Sequence, residues 1–294
     1  MPARTSKLAT PAEAAALVAD GDVVAIGGIH AHSGPAAIVR ELIRAGRRDL
    51  TLLPNVSAGV PVDLLIAGGC VSRIYCCYMG LEHKGLAPAF RRAAQAGTLE
   101  VRDVDEPFTV YALKAASANL PFMALPHGHR ATQTMELNPD DYRLVRDPFT
   151  GEEHVCVRQV QPDVGLIHAS ACDPYGNVHI PGAIFHDDLI AKASKRVIVT
   201  TDRVVPHETA KASPRWTTIP GFFVTAVVPL PYAAHPTSSQ GNYSYDEAHI
   251  EEYRDADPQQ YLERYVLGVA DHEEYLERVG LRRLASLHLG AVVA

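Results

Sequence analysis

The sequence predicts an α/β fold in which an open, mostly parallel sheet is flanked by helices, with further helices at the C-terminal end. Short apolar runs rich in β-branched residues alternate with segments of helical periodicity, which is typical of βαβ units. The 294 residues are 47% hydrophobic, so the chain can bury a sizeable core. No repeat or linker-like segment interrupts the alternation, and we therefore predict one domain over residues 1–294.

The first part of the chain carries the clearest alternation. Thr10 predicts the start of a helix at residues 11–18, because threonine caps helix N-termini. Ser33 predicts the next helix start in the same way, with Pro35 in the first turn. The remaining elements predicted here are strands at residues 23–26, 50–53, 71–79 and 99–104, and helices at residues 62–67, 87–96 and 107–118.

The second part of the chain begins less regularly. Residues 121–153 are rich in polar residues, and we predict an irregular excursion that contributes to an active site or to a subunit contact. The alternation then resumes and ends in a helical segment. We predict strands at residues 164–169, 196–201 and 222–228, a turn at residues 174–177, and helices at residues 187–194 and within 245–287.

Charge and cysteine content exclude several classes of protein. The chain has 34 acidic and 27 basic residues, a net charge of −7, and no basic block, so we predict no nucleic-acid partner. No apolar run approaches the roughly 20 residues of a membrane span, and residues 1–20 lack a signal-peptide core. Five cysteines without a regular spacing favour a reducing compartment, and we predict a cytoplasmic protein.

The segment from Asp20 to Pro35 is the most informative part of the sequence. A short apolar strand at residues 23–26 is followed at once by Gly27 and Gly28, which have no Cβ and allow a ligand to approach the backbone. The carboxyl end of a parallel strand is where open α/β sheets bind ligands. We therefore predict that this turn and the following helix start offer backbone N–H donors to a substrate oxygen.

These residues resemble the α-subunit signature of the family I coenzyme A transferases. The match comprises Asp20-Gly21, Gly27-Gly28 and Pro35, while Ile29 replaces an aromatic residue and Ser33 replaces a glycine. The nearest resemblance is to the glutaconate CoA-transferase α-subunit branch. Further segments that resemble this branch follow in the same order, at residues 162–177, 195–200, 234–243 and 272–277.

The resemblance implies an activity and a partner. In this family a glutamate attacks an acyl-CoA thioester, and CoA then passes through a glutamyl-CoA thioester to an acceptor carboxylate. The glutamate of two-subunit members lies on the β subunit, so the resemblance implies a heterodimer or an α2β2 assembly. The implied substrates are an acyl-CoA and a small carboxylic or dicarboxylic acid, with coenzyme A as part of the substrate and no permanently bound cofactor.

Glu106 is the candidate catalytic residue within this chain. Asp105-Glu106 follows a predicted strand, and it resembles a pair that includes the catalytic glutamate in related enzymes of steroid-ring breakdown. A purely structural interpretation remains open. Asp105 would then cap the helix, and Glu106 would complement the helix dipole, which is worth about 0.3–1 kcal/mol.

The candidate substrate- or CoA-binding residues lie in three segments. They are Gly27, Gly28, His30, His32, Ser33, Arg130, Ser238 and Gln240. His30 and His32 could also begin a metal site, but the spacing offers only two ligands, and we predict no bound metal. Arg130 could bind a substrate carboxylate or lie in a solvated loop, and turn chemistry explains Ser238 and Gln240 nearly as well as substrate contact.

Two other functions remain open on the sequence alone. The same fold could hydrolyse or decarboxylate an acyl-CoA by using Glu106 as base or nucleophile. Alternatively, the chain could be a non-enzymatic domain that binds a phosphosugar or another effector, because a fold does not by itself determine a function.

Overall fold

Twelve strands follow one another along the part of the chain that the computed structural model describes, residues 4–288. They are β1 (Val23–Ile26), β2 (Leu50–Pro54), β3 (Val71–Cys76), β4 (Glu100–Asp103), β5 (Phe122–Ala124), β6 (Tyr142–Arg146), β7 (Glu153–Arg158), β8 (Val164–Ala169), β9 (Ala171–Cys172), β10 (Val178–His179), β11 (Arg196–Thr201) and β12 (Ala226–Pro229).

Seven of these strands form one parallel sheet at the centre of the fold. Their spatial order is β12-β11-β8-β1-β2-β3-β4, and every neighbouring pair is parallel. The chain moves outward in one direction from β1 to β4 and in the other direction from β8 to β12. The strand order therefore reverses between β1 and β8, and such a switch point leaves a crevice at the carboxyl ends of the strands.

Helices cover both faces of the sheet. They are α1 (Pro11–Ala15), α2 (Ala36–Arg44), α3 (Val60–Ala67), α4 (Pro88–Ala96), α5 (Glu106–Ser117), α6 (Thr134–Leu137), α7 (Asp187–Ala193), α8 (His207–Ala212), α9 (Glu247–Asp255), α10 (Pro258–Leu262), α11 (His272–Val279) and α12 (Leu281–Ser286). Short 3-10 turns and one π-helical turn, Glu263–Leu267, lie between them. The predicted α/β class with C-terminal helices is confirmed.

The inner strands of the central sheet contribute to two separate cores, one on each face. Val24 and Ile26 of β1 pack on one face, together with residues of α2, α3 and the C-terminal helices. Ala25 packs on the other face with Phe108 of α5 and Ile190 of α7. Successive side chains of a strand point to opposite faces, so a buried strand needs apolar residues at every position. The unbroken apolar run at residues 23–26 meets this requirement.

The predicted irregular excursion contains a small sheet, so that part of the prediction was wrong. Strands β5, β7 and β6 pair antiparallel in that order. Tyr142, Val155 and Val157 are buried, and the ring of Tyr142 packs against Phe108. These strands are only three to six residues long, and such short runs give no clear periodicity in the sequence.

Two further boundaries differ from the prediction. Helix α2 begins at Ala36, and Ser33 has a φ of +54°, so Ser33 does not cap the helix and Pro35 precedes it. The strand predicted from residue 222 begins at Ala226, because Gly221–Phe223 forms a 3-10 turn. The cap predicted at Thr10 is confirmed, since its side chain accepts a hydrogen bond from the N–H of Glu13. Within residues 4–288, no helix is long and apolar enough to cross a bilayer.

Candidate active site

The turn after β1 lies at the point where the strand order reverses. Gly28 has a φ of +73°, and His30 and Ser33 also adopt left-handed backbone conformations, with φ of +50° and +54°. Such conformations are unfavourable for residues with a Cβ, and they persist where the surrounding structure holds them. Gly27, Gly28 and His30, with residues of β2 and α3, line a narrow crevice.

Packing explains why both positions of the turn are glycine. A Cβ on Gly27 would lie 2.5 Å from Oδ1 of Asp187, and one on Gly28 would lie 2.5 Å from the carbonyl oxygen of Ser33. Neither distance leaves room for a side chain. The glycines are therefore required by the fold itself, in addition to any ligand that approaches them.

The backbone N–H groups of this turn are already bonded within the chain. Gly27 donates to the carbonyl oxygen of Leu166, and Gly28 donates to Oδ1 of Asp187. The amides from Ile29 to Gly34 likewise donate to carbonyl or side-chain oxygens. The prediction that the turn offers N–H donors to a substrate was therefore wrong, because most of them donate to neighbouring segments of the chain and the rest donate within the turn.

Asp187 accepts a hydrogen bond from the turn, and this residue was not identified from the sequence. It is the first residue of α7 and is fully buried. Its Oδ1 accepts the N–H of Gly28 at 2.8 Å, and its Oδ2 has no hydrogen-bond partner among residues 4–288. Burial raises the pKa of this carboxyl to about 7, because it disfavours the charged form.

The structure places both predicted histidines beside the crevice. His30 lines it, and its ring lies edge-on to Tyr78 with centroids 5.3 Å apart. His32 is 2.9 Å through Nδ1 from the hydroxyl oxygen of Ser238, and its Nε2 is 3.8 Å from Glu82. The two rings therefore have separate partners in the structure.

Ser33, Ser238 and Gln240 also come together in the structure. The amide Nε2 of Gln240 donates to Oγ of Ser33 at 3.2 Å and to the carbonyl oxygen of Ala183 at 2.6 Å. The N–H of Ser33 donates to the carbonyl oxygen of Ser238 at 2.8 Å. These bonds connect the glycine turn to the loop at residues 238–245, which borders a second cavity with about 760 Å³ of empty space.

Glu106 lies at the carboxyl end of β4, as the first residue of α5. Its side chain is exposed, and it forms no hydrogen bond or ion pair with residues 4–288. Asp105 is the helix cap, since its Oδ1 accepts the N–H of Phe108 at 2.9 Å. The structural role proposed for Asp105 is thus confirmed, while the carboxylate of Glu106 stays available to a substrate or partner.

Arg130 lies apart from the glycine turn. It belongs to a 3-10 turn, His129–Ala131, and its guanidinium is largely exposed and pairs with Glu153 at 2.9 Å. The neighbouring His129 is 3.1 Å from Asp105, so this segment lies over the start of α5. Among the described residues, no contact joins Arg130 to the crevice.

Asn55 is a further residue of the crevice that the sequence did not reveal, and His186 contacts it. Asn55 follows β2 and lines the crevice, and its Oδ1 is 2.8 Å from Nδ1 of His186. His186 precedes Asp187, so the two neighbours approach the crevice from the same side. His186 is 131 residues from Asn55 in the sequence, and Asp187 is 159 residues from Gly28, so no local pattern could have indicated these contacts.

The cysteines beside the crevice are poor nucleophiles. Burial raises the pKa of Cys76 to about 12 and that of Cys77 to about 11, and the nearby charge of Glu106 adds to the effect at Cys77. A thiol with a raised pKa carries little thiolate at neutral pH. Cys76 is buried in the core, and Cys77 is half-buried.

A buried cluster of His235, Asp246 and His249 brings three metal-ligating side chains within 4.8 Å of one another. Asp246 already forms a two-point ion pair with Arg283, at 2.6 and 2.8 Å. His235 also contacts the hydroxyl of Tyr275 at 2.6 Å. The charge of the carboxylate is thus balanced by an arginine, and the cluster is a hydrogen-bonded core of the C-terminal helices.

Comparison with known proteins identifies the family. The sequence pattern of the family described as coenzyme A transferase matches residues 8–229. The A subunit of glutaconate CoA-transferase from Acidaminococcus fermentans is 34% identical, over 96% of this chain and 94% of its own length. The crystal structure of that enzyme superposes with a TM-score of 0.89, over 97% of this chain and 96% of the matched chain, at 32% identity.

Two other relatives carry different names. The crystal structure of the decarboxylase AibA/AibB has a TM-score of 0.81 and 33% identity, over 89% of this chain and 98% of the matched chain. The cholesterol ring-cleaving hydrolase IpdA subunit of Rhodococcus jostii is 29% identical, over 85% of this chain and 88% of its own length. The pattern match, the identity and the common fold agree. The chain belongs to the coenzyme A transferase family.

Proposed function

We propose that this chain is the α subunit of a heteromeric enzyme that moves CoA between an acyl-CoA and a small mono- or dicarboxylic acid. The similarity to the A subunit of glutaconate CoA-transferase, along nearly the whole of both chains, is the observation that carries the proposal. The chain supplies the crevice at the switch point of the sheet, and a β subunit supplies the attacking glutamate.

The geometry of the crevice supports a site that is shared between two subunits. The crevice is too narrow for the nucleotide of CoA, which must therefore lie against another surface. The amides of the turn are bonded internally, so a second surface must provide the donors that stabilise a tetrahedral intermediate. We place the acyl group of the substrate next to His30, His32 and Ser238. The backbone around it is held in place by Gly27, Gly28, Ser33 and Gln240.

The proposed reaction needs only carboxylates and a thioester. The partner's glutamate attacks the thioester carbonyl and releases CoA thiolate, which gives a mixed anhydride. The thiolate attacks the glutamyl carbonyl and frees the first acid, and the acceptor carboxylate then reverses both steps. Arg130, in its exposed loop beside α5, remains a candidate for contact with a substrate carboxylate or with the partner.

An acyl-CoA hydrolase or decarboxylase that uses Glu106 is the second candidate. The carboxylate of Glu106 favours this candidate, because it is exposed at the carboxyl edge of the sheet and unpaired within residues 4–288. Two relatives, one named as a decarboxylase and one as a hydrolase subunit, also favour it. The non-enzymatic effector-binding interpretation has no comparable support among these relatives.

The five cysteines form no disulfide, and we propose a reducing, cytoplasmic location on that basis.

Coexpression with a chain that resembles coenzyme A transferase β subunits tests the proposal. The purified complex is mixed with acetyl-CoA or glutaryl-CoA and an isotopically labelled acid, and the labelled acyl-CoA is measured by mass spectrometry. We expect labelled acyl-CoA with the complex and none with either chain alone. Release of free CoA without any labelled acyl-CoA would favour the hydrolase or decarboxylase instead.

A further inference from the structure

A second narrow pocket adjoins the crevice at the glycine turn. Both cavities are lined by His30 and Gly59, so they meet at this point of the chain. The second cavity, which we call the adjoining pocket, has mostly apolar walls. These walls include Ala31, Val60, Leu81, Tyr245 and Ile250. A group that lies beside His30 in the crevice therefore has an apolar space next to it.

The fold builds the adjoining pocket from two fixed segments. The loop at residues 78–86 forms one wall, and within it the N–H of Gly80 donates to the carbonyl oxygen of Ala58 at 3.1 Å. Lys84 ties the same loop to helix α9 through an ion pair of 2.6 Å with Glu251. The loop is thus held at both ends of the pocket, and the cavity is formed before any ligand binds, as is usual for small-molecule sites.

The backbone of His30 is also fixed at the junction of the two cavities. Its φ is +50°, and its N–H donates to the carbonyl oxygen of Ser57 at 3.3 Å. Its carbonyl oxygen packs so closely on Gly59 that a Cβ there would clash. The imidazole therefore extends from a backbone that the surrounding structure holds in place.

The charges around the adjoining pocket disfavour a carboxylate inside it. Among the described residues that line either cavity, Lys84 is the only lysine or arginine. Its ammonium group already pairs with Glu247 and Glu251, and Glu247 also pairs with His83. Glu82 is a further carboxylate of the lining. An additional negative charge would thus enter a region rich in carboxylates, and the cation there is already paired.

We propose that the adjoining pocket receives the end of the acyl chain, so that the substrate is an acyl-CoA whose acyl group ends in an apolar, uncharged group. This inference rests on the proposed function, which places the acyl group beside His30. The pocket is narrow and accepts a methyl or ethyl end rather than a long chain. An apolar end leaves water and contacts Val60, Leu81 and Ile250, whereas a terminal carboxylate would lose its hydration without gaining a free cation.

Thioethers of coenzyme A test the proposal without any transfer, because they lack the carbonyl that a nucleophile attacks. S-butyl-CoA and S-(3-carboxypropyl)-CoA differ only in a terminal methyl or carboxylate. Their dissociation constants for the same two-subunit complex are measured by isothermal titration calorimetry. We expect the butyl compound to bind at least about 10-fold more tightly. Equal binding, or tighter binding of the carboxypropyl compound, would overturn the proposal.

Two opposite changes at Ile250 test whether the chain ends in this pocket. Ile250→Phe fills the pocket, and we expect it to weaken S-butyl-CoA by about 10-fold or more relative to S-methyl-CoA. Ile250→Ala enlarges the pocket, and we expect it to shift the preference toward S-hexyl-CoA. A general loss of stability would not move the two variants in opposite directions.

Ile219→Ala is the matched control for these variants. Ile219 is also buried, but it belongs to the core on the other face of the sheet. This change should lower stability and leave the ratio of S-butyl-CoA to S-methyl-CoA affinity unchanged. If the folded Ile250 variants likewise keep the native ratios, the chain does not end in the adjoining pocket and the proposal is wrong.

Binding and transfer together distinguish this inference from the proposed function. A complex that transfers CoA to a labelled acid but binds both four-carbon thioethers equally would refute the role of the pocket and leave the transfer intact. The expected preference and the expected shifts at Ile250, without labelled acyl-CoA from any donor, would support the pocket and refute the transfer. A complex that binds no thioether would overturn the inference.

Discussion

The backbone N–H of Gly28 donates a hydrogen bond of 2.8 Å to the buried Oδ1 of Asp187. This bond joins the turn after β1 to the start of α7, across the switch point of the sheet. The second oxygen of the carboxyl has no partner among the described residues, and no cation pairs with it there. Burial therefore favours the protonated form and raises the pKa of Asp187 to about 7.

Replacing Asp187 with asparagine should stabilise the protein as the pH rises. In the unfolded chain an aspartate has a pKa of about 3.9, whereas in the fold it is about 7. The native protein therefore loses stability between these pH values, because folding must return a proton to the carboxyl. We expect the advantage of Asp187→Asn in free energy of unfolding to grow by about 2–3 kcal/mol from pH 5 to pH 8.

Urea unfolding at the two pH values measures this difference. Asp188→Asn is the matched control, because Asp188 is partly exposed and pairs with Lys192 at 2.8 Å. It should change stability by less than about 1 kcal/mol, with little dependence on pH. An advantage of Asp187→Asn that is the same at pH 5 and pH 8 would show that Asp187 is already ionised in the fold.

Gly28→Ala should be much more damaging than the same change at Gly21. Both glycines have a positive φ, +73° and +82°, which alone makes alanine unfavourable by about 1 kcal/mol. A Cβ at Gly21 would meet nothing within 4 Å, whereas one at Gly28 would lie 2.5 Å from the carbonyl oxygen of Ser33. We expect Gly28→Ala to lose about 1–3 kcal/mol more in free energy of unfolding. Equal losses would mean that the turn can shift freely.

Gln240→Glu should loosen the loop that borders the crevice. The amide nitrogen of Gln240 donates to the hydroxyl oxygen of Ser33 and to the carbonyl oxygen of Ala183, and an ionised carboxylate would lose both bonds and repel the carbonyl. We expect a loss of about 1–3 kcal/mol in unfolding free energy and a higher KM for acyl-CoA. Gln259→Glu is the control, because its single bond to the carbonyl of Ala67 is exposed. A similar effect of both changes would contradict a linking role for Gln240.

Glu106→Gln distinguishes the two candidate functions. If the partner subunit carries the nucleophile, the complex should still form a covalent CoA adduct on that partner when acyl-CoA is added. The adduct is detected as a mass increase of the separated, denatured partner. Glu208→Gln changes an exposed glutamate of α8 in the same way and serves as control. Loss of CoA chemistry in Glu106→Gln alone, without any adduct on either native subunit, would favour the hydrolase or decarboxylase.

The central sheet could be predicted because each strand is visible in its own few residues. Strand β1 was predicted at its observed limits, Val23–Ile26, since a strand covered on both faces must be apolar at every position. Helix α4 was predicted to end at Gly97, which adopts the left-handed conformation that closes it. The small sheet from β5 to β7 was missed, because its apolar residues become informative only when they pack on α5.

The candidate site was predicted only in part, for a related reason. The sequence placed Gly27, Gly28, His30 and His32 at the end of a strand, and the structure has the first three at the crevice and His32 at the second cavity. The sequence did not show that the N–H groups of the turn are already hydrogen-bonded within the folded chain. That depends on the carbonyl of Leu166 and the carboxyl of Asp187, which come from the other side of the sheet.

The sequence by itself determined the elements, their alternation and the turn that resembles the coenzyme A transferases, because these are local patterns of side chains and glycines. The tertiary structure decided which distant residues complete the crevice. Asn55 meets His186, and Gly28 meets Asp187, because β8 lies beside β1 and the segment after β8 returns to the same edge. Strand order follows from the packing of the whole chain, and no local periodicity encodes it.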